Sequence, residues 1–401
     1  MPVLPFFIVV TARPSQSAQE KIFSAAFSLI ESSIAAHSFP AASLAVTLSG
    51  KLVALKSFGT LAYERDLKGA PFLTGSARTG DFAFNVAPDS IFDLASLTKP
   101  IATTTMAMIL YQRGLLELEA PVYGIVPEFL MDDVRRRSVT FRMLLAHASG
   151  LPAYEQLFRK ARTRDELLRA AFSMPLSADP GTRAEYSDIG FILLGVALER
   201  IAAEPLNTFC QREIFGPLGM SNTTFNPPPD LRSQIPPTAD ERESTAANAA
   251  TPRSTYRNRI IQGEVQDENA FVLGGVAGHA GLFSTAEDVA IFANAMLAGG
   301  SPVVRPETVA LFTRRESAPA GTSRALGWDT PSAPSQSGKH LGPRSYGHLG
   351  YTGTSLWIDH GQDLSITLLT NRTWPDCSNQ AIKQVRPKVH DAIVEALNRL
   401  V

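Results

Sequence analysis

Apolar residues recur every three or four positions from Ala18 to Ala36 (Ile22, Phe23, Ala26, Phe27, Ile30, Ile34), which predicts an amphipathic helix. The period then changes to two. Leu44-Ala-Val-Thr-Leu48 and Leu52-Val-Ala-Leu55 flank Ser49-Gly50, and the stretch Ala42 to Gly59 reads as a β-hairpin. A polar, Gly-rich stretch from Leu67 to Asp81 reads as loop. From Ile91 the chain enters a long helix, Ser96 to Arg113, with Gly114 as its C-cap. The middle is mostly helical pattern broken by Pro and Gly turns, and Phe191 to Ile201 is its clearest buried helix. Asn226 to Asn258, rich in Pro, Ser, Ala and Thr, reads as a long surface excursion. Near the end, Thr354–Ile358 and Leu364–Leu369 flank His360-Gly361 as a second hairpin, and Ile382 to Leu400 closes as an amphipathic helix. The pattern predicts an α/β (α+β) fold: an antiparallel sheet flanked by helices, assembled from both termini, with an all-α insertion. The boundaries are 17–114 with 266–401 for the sheet domain, 115–265 for the helical domain and 1–16 for a tail.

A chain of 401 residues is too long for one small core. With 44% apolar and 19% charged residues it has the composition of a soluble globular protein. A net charge of −1 gives no bulk attraction to nucleic acid or anionic membrane, and neither is expected as a partner. The run Arg135-Arg136-Arg137, following Asp132-Asp133, reads as solvated surface. Cys210 and Cys377 read as two ordinary thiols, a single disulfide being the alternative. The seven histidines show no clustered ligand spacing, so no metal and no cofactor is expected. The apolar start Met1 to Ala12 is too short to span a bilayer and has no Lys or Arg ahead of it, while Val10-Thr-Ala12 resembles a cleavage site. It reads as a ragged start or a truncated export signal. As written it favours the cytoplasm; a truncated signal would place the protein in the periplasm or outside the cell. No transmembrane segment is expected elsewhere, and the oligomeric state is not legible.

Three short segments carry candidate chemistry. In Ser96-Leu97-Thr98-Lys99, helical spacing puts Lys99 on the face of Ser96, where it can activate a hydroxyl that is a poor nucleophile alone. A serine in a first helical turn also lies among unpaired N–H groups that favour an oxyanion, and Pro100 falls where a missing N–H costs least. In Tyr186-Ser187-Asp188, after the turn Asp179-Pro-Gly181, a phenolate favoured by a nearby ammonium can serve as base. His348-Leu349-Gly350 leads into Tyr351-Thr-Gly-Thr354, where an edge strand would offer the Tyr351 N–H as a second oxyanion donor. Each motif is common by itself; their order is not.

Together they resemble the serine β-lactamase and penicillin-binding protein superfamily, whose motifs are S-x-x-K, S-D-N and K-T-G. The likeness is closest to the class C branch, with Tyr-x-Asn in second place, so Tyr186 and Asp188 are aligned there. Supporting stretches include Phe92 to Pro100, Leu144-Leu-Ala-His-Ala-Ser-Gly-Leu-Pro152, Pro217-Leu-Gly-Met220, Gly278-His-Ala-Gly-Leu-Phe-Ser284 and Gly347 to Trp357. The resemblance implies an acyl-enzyme at Ser96, proton transfer shared by Lys99 and Tyr186, and an oxyanion hole from the Ser96 and Tyr351 N–H groups. His348 and Gly350 stand at K-T-G, where His348 would orient Tyr186 or hold a substrate carboxylate. Asp188 in place of an amide removes an N–H donor, favours the charged form of Lys99 and repels anionic substrates. The expectation is a carboxylesterase acting on small esters, with weak β-lactam hydrolysis. The alternatives are a D-alanyl-D-alanine carboxypeptidase or D-amino acid peptidase, a β-lactamase, and a non-catalytic penicillin-recognising protein. An α/β-hydrolase is disfavoured because no G-x-S-x-G elbow occurs.

Overall fold

The alternation of side chains along five strands decides how the sheet is covered. In the computed structural model, which describes residues 13–63, 85–242 and 254–400, β1 (Ala41–Leu48) and β2 (Lys51–Gly59) form the first hairpin. Ser49 and Gly50 between them both have positive φ, 48° and 73°, as a tight two-residue turn requires. Two short segments follow in the chain, β3 (Phe92–Asp93) and β4 (Thr224–Phe225), both paired with β5 (Leu282–Ser284). The last strands are β6 (Tyr346–Leu349), β7 (Ser355–Asp359) and β8 (Leu364–Thr370). The five-stranded sheet runs β2-β1-β8-β7-β6, all antiparallel, so β1 from one end of the chain sits beside β8 from the other.

Helix α1 (Gln16–Ala35), N-capped by Ser15, packs against the last helix of the chain, and both cover one sheet face. There Phe23, Phe27 and Ile30 meet Leu44, Val46, Ile366 and Leu368, together with Val389 and Ile393. The intervening residues Ala45, Leu356, Ile358 and Leu369 point the other way, toward Val289 and Phe292. Those two belong to a helix spanning Ala286–Leu297. The helix Asp188–Ala202 crosses the large helical layer beyond it, and ten consecutive residues of it, Ile189 to Leu198, are buried.

Three expectations need correction. The run from Ser96 to Arg113 is helical throughout but is not one α-helix. It comprises a 3₁₀ turn (Ala95–Leu97), a widened π segment (Lys99–Thr104) and an α-helix (Thr105–Gln112). Pro100 brings no N–H, and its carbonyl accepts from Thr105 Oγ1 at 2.9 Å, so the ladder opens by one residue. Arg136 is not a surface residue: it is 3% exposed and donates to the Phe129, Phe172 and Met174 carbonyls at 2.9, 2.5 and 2.6 Å. Its terminal nitrogens tie off orphan carbonyls at the end of a helix, which offsets part of the cost of burying the charge. The stretch 226–258 is no mere excursion. Ile235 and Glu241 are buried, and Ala239–Asp240 pairs with Ile260–Ile261. The N-terminal residues 1–12 and the loop read over Leu67 to Asp81 lie outside the described residues, as do 243–253. Among the described residues no helix is long and apolar enough to cross a membrane, and both cysteines are free thiols.

Candidate active site

Strand β3 delivers the chain to Ser96 through a forced bend. Asp93 accepts from the Ala95 N–H with one oxygen (2.8 Å) and from the Gln266 N–H with the other (2.7 Å). Ala95 adopts φ of +46°, a conformation that costs a non-glycine residue about 1–2 kcal/mol. Thr98 locks the far side of the turn, donating to Ala95 O (2.6 Å) and accepting from the Leu282 N–H (3.0 Å). The hydroxyl of Ser96 is therefore presented by a short, pinned turn between two segments of the sheet.

Lys99 and Tyr186 both reach that hydroxyl. Lys99 Nζ lies 2.9 Å from Ser96 Oγ, 2.9 Å from the His279 carbonyl and 2.6 Å from Asp188 Oδ1, and its side chain is fully buried. The ammonium thus donates to the hydroxyl and the carbonyl and is ion-paired with the carboxylate. Burial opposes charge on Lys99, yet Asp188 and Tyr186 outweigh it and raise the ammonium above its ordinary range. Tyr186 donates to Ser96 Oγ at 2.7 Å. Burial, followed by Asp188, pushes its phenol up to about 12 against the pull of Lys99. Tyr186 is positioned by His147, whose Nδ1 accepts from the Ser187 N–H at 3.0 Å and whose ring lies 4.7 Å from the Tyr186 ring. Ser187 itself N-caps the helix Asp188–Ala202.

The third segment packs directly on the first. His348 is on the edge strand β6, while Tyr351 lies in the turn after it, a departure from the expected strand position. That turn is clamped to the chain just before Ser96: Thr352 Oγ1 donates to Asp93 O at 2.8 Å and Thr354 Oγ1 to Leu94 O at 3.0 Å. A Cβ on Gly350 would collide with Thr354 and lie 2.6 Å from Leu94 O, so only glycine permits the approach. Two guanidiniums hold the turn's carbonyls. Arg386 donates to Gly350 O (2.7 Å), Thr354 O (2.8 Å) and Gly353 O (3.3 Å), and Arg372 donates to Tyr351 O (2.7 Å). With its carbonyls turned toward these cations, the Tyr351 N–H is left without an acceptor among the described residues. His348 is buried and neutral: burial, then Lys99 and Arg324, hold its imidazole far below the ordinary range. Its Nδ1 contacts Leu349 O at 2.9 Å, the geometry of a donor, which leaves Nε2 as a lone-pair acceptor. In that form it is no cationic anchor for a carboxylate.

These groups border a cavity of about 700 Å³. Its lining includes both acids (Asp188, Asp267, Glu268) and arginines (Arg324, Arg372, Arg386), with the Arg324 guanidinium 5.5 Å from the centre of the Tyr186 ring. The arrangement is suited to removing a proton from one hydroxyl, holding the oxyanion its attack creates, and excluding bulk water from Lys99. Among the described residues no group of His, Cys, Asp or Glu is placed to hold a metal ion.

The family model described as Beta-lactamase matches residues 27–386. This chain belongs to the Beta-lactamase family. It is a β-lactamase-fold serine hydrolase, of a family acting on small-molecule or peptide substrates. It is 33% identical to the N-acetylmuramyl-L-alanine amidase of Bacillus subtilis (strain 168) over 368 residues, covering 86% of this chain and 79% of that one. It is 30% identical to a Salmonella paratyphi B protein named "Putative D-alanyl-D-alanine carboxypeptidase", covering 86% and 81% respectively. In fold it is similar to EstCE1, a hydrolase with promiscuous acyltransferase activity, with a TM-score of 0.73 at 19% identity over 94% of this chain and all of that one.

Ser96, Lys99, Tyr186 and Asp188 form one contact network in this β-lactamase fold, and Gly350 and Tyr351 close against it. Several of their supports carried no role in the sequence reading. His147 and His279 lay inside stretches quoted for their likeness, but nothing in spacing marks a ring that accepts from one N–H or a carbonyl that anchors a lysine. Arg372 and Arg386 had no signal at all, because buried arginines that bind carbonyls look like any surface arginine in a sequence.

Proposed function

We propose that this protein hydrolyses polar, peptide-like carboxylic amides through an acyl-enzyme at Ser96. The observation that carries the reading is the convergence of Lys99 and Tyr186 on one hydroxyl, 2.9 and 2.7 Å away. It lies beside a cavity whose walls bear charges of both signs. A small apolar ester would leave those charges unmatched; a peptide fragment with its own amine and carboxylate would meet them. The names of the amidase and carboxypeptidase relatives point the same way.

The reaction balances on this chain's own groups. Once the Ser96, Lys99 and Tyr186 set has lost one proton, the Tyr186 phenolate takes the Ser96 proton as Oγ bonds to the carbonyl carbon. The carbonyl electrons move to oxygen, received by the Ser96 and Tyr351 N–H groups. Tyr186 then gives its proton to the leaving nitrogen as the C–N bond breaks. Water, yielding its proton to Tyr186, attacks the ester; Ser96 departs and recovers that proton. Lys99 stays an ammonium and offsets the phenolate.

A second reading, hydrolysis of small esters, is favoured by Asp188. An acceptor in that place provides no N–H to hold a substrate amide oxygen, so binding an ester forgoes nothing there. A panel of alanyl peptides, p-nitrophenyl esters and nitrocefin, compared by kcat/KM, separates the two. The amide reading expects the peptides to lead; esters faster by tenfold or more would transfer the assignment to an esterase. Nitrocefin should be the poorest of the three.

A further inference from the structure

Asp188 has an oxygen to spare. Its Oδ1 is 2.6 Å from Lys99 and its N–H donates to Ala153 O at 2.8 Å, while no donor among the described residues reaches Oδ2. The side chain lines the cavity and is 16% exposed. A carboxylate has acceptor room for about four hydrogen bonds; Oδ1 is shut off from solvent against Lys99, and Oδ2 is the oxygen left accessible from the cavity. The surroundings repeat the same sign. Asp267 and Glu268 line the same cavity, and with Asp188 they all oppose ionisation of Tyr154, which burial disfavours first. The nearby cations are taken: Lys99 by Asp188 at 2.6 Å, Arg324 by Asp329 at 3.5 Å, Arg257 by Glu241 at 2.7 Å.

Position gives this open oxygen a meaning. Only the Lys99 ammonium separates Asp188 from Ser96 Oγ. In an acyl group bound to that oxygen, an α-nitrogen is two bonds from the carbonyl carbon, a span comparable with the single ammonium that bridges Ser96 and Asp188. We propose that Asp188 Oδ2 receives the free α-ammonium of an aminoacyl substrate, so that the site selects acyl donors whose amine next to the scissile carbonyl is uncapped. This rests on the acyl-transfer reading of Ser96 and adds what the acyl group must carry.

The test compares D- and L-alanine p-nitroanilide with their N-acetyl counterparts, on the wild-type protein, Asp188→Asn and Glu268→Gln. Labelling of Ser96 by a fluorophosphonate, read by intact mass, is followed alongside. The wild type prefers the free amine in kcat/KM by about 10–10²-fold, the worth of a charge-assisted hydrogen bond. Asp188→Asn brings the ratio to one or inverts it; being a ratio within one variant, it is read independently of any change in absolute rate. Glu268→Gln, which leaves Lys99 its partner, lowers the ratio as well. A wild type indifferent to the cap, or an Asp188→Asn variant with the wild-type ratio, overturns the proposal. If Ser96 labels but neither anilide is cleaved, the proposal falls and the acyl-transfer reading stands; if folded protein does not label at Ser96, both fall.

Discussion

Lys99 donates to Ser96 Oγ and to the His279 carbonyl and is ion-paired with a carboxylate at 2.6 Å. A lysine so held is a poor base, which leaves Tyr186 to move the proton. Replacing Tyr186 with Phe should lower kcat by about 10²–10⁴, the usual worth of a general base; a rate within threefold of wild type would clear Tyr186 of that work. The pH dependence has a definite sign. The competent form is one proton poorer than the resting set, and both Lys99 and Tyr186 hold their protons above the ordinary range, Tyr186 to about 12. The rate should therefore climb from neutral into alkaline pH, with an apparent pKa that belongs to the coupled set. Asp188 stabilises the ammonium and opposes the phenolate, so Asp188→Asn should move the rising limb to lower pH. A limb that stays or moves upward in a pH–rate profile would contradict this.

Among the elements, the turn after β6 bears most directly on the chemistry. Arg386 and Arg372 hold four of its carbonyls, and the turn in turn abuts Asp93 and Leu94. Arg386→Met should free the turn. A misplacement of about 1 Å can cost roughly 10² in rate, so kcat should fall far more than KM rises, with Tm read in parallel to separate folding from positioning. Gly350→Ala forces a side chain into Thr354 and Leu94, and overpacking of that kind costs about 1–3 kcal/mol. It should lower Tm and the rate together. Both hairpins and both terminal helices were legible because period-2 and 3.6-residue patterns follow from single faces of burial. The break of the Ser96 helix was not. It depends on Pro100 and on the φ of Ala95, and the latter is imposed by Asp93 and by a segment nearly 190 residues away at Leu282. The strand expected at Tyr351 failed likewise, since Arg386 reaches across from the last helix to bend it.

At the scale of the molecule, the site exists only because the two ends of the chain share a sheet. β1 pairs with β8 over seven residues, and α1 meets the C-terminal helix on its outer face. Ser96 comes from one half, Tyr186 from the helical layer and Tyr351 from the other half, so global stability and site geometry are coupled. Phe27→Ala, which empties that outer core, should cost about 3–5 kcal/mol. Denaturant titration should show it, while the folded fraction keeps its kcat. The motif order announced this convergence before any geometry, but the charges that line the cavity come from many separate loops and could be gathered only in three dimensions. The most direct test of the whole account is rapid-quench peptide mass spectrometry during turnover of a slow substrate. The account predicts an acyl mass on Ser96 that accumulates and decays at the steady-state rate and is absent from Ser96→Ala. An acyl group on any other residue, or turnover undiminished in Ser96→Ala, would contradict it.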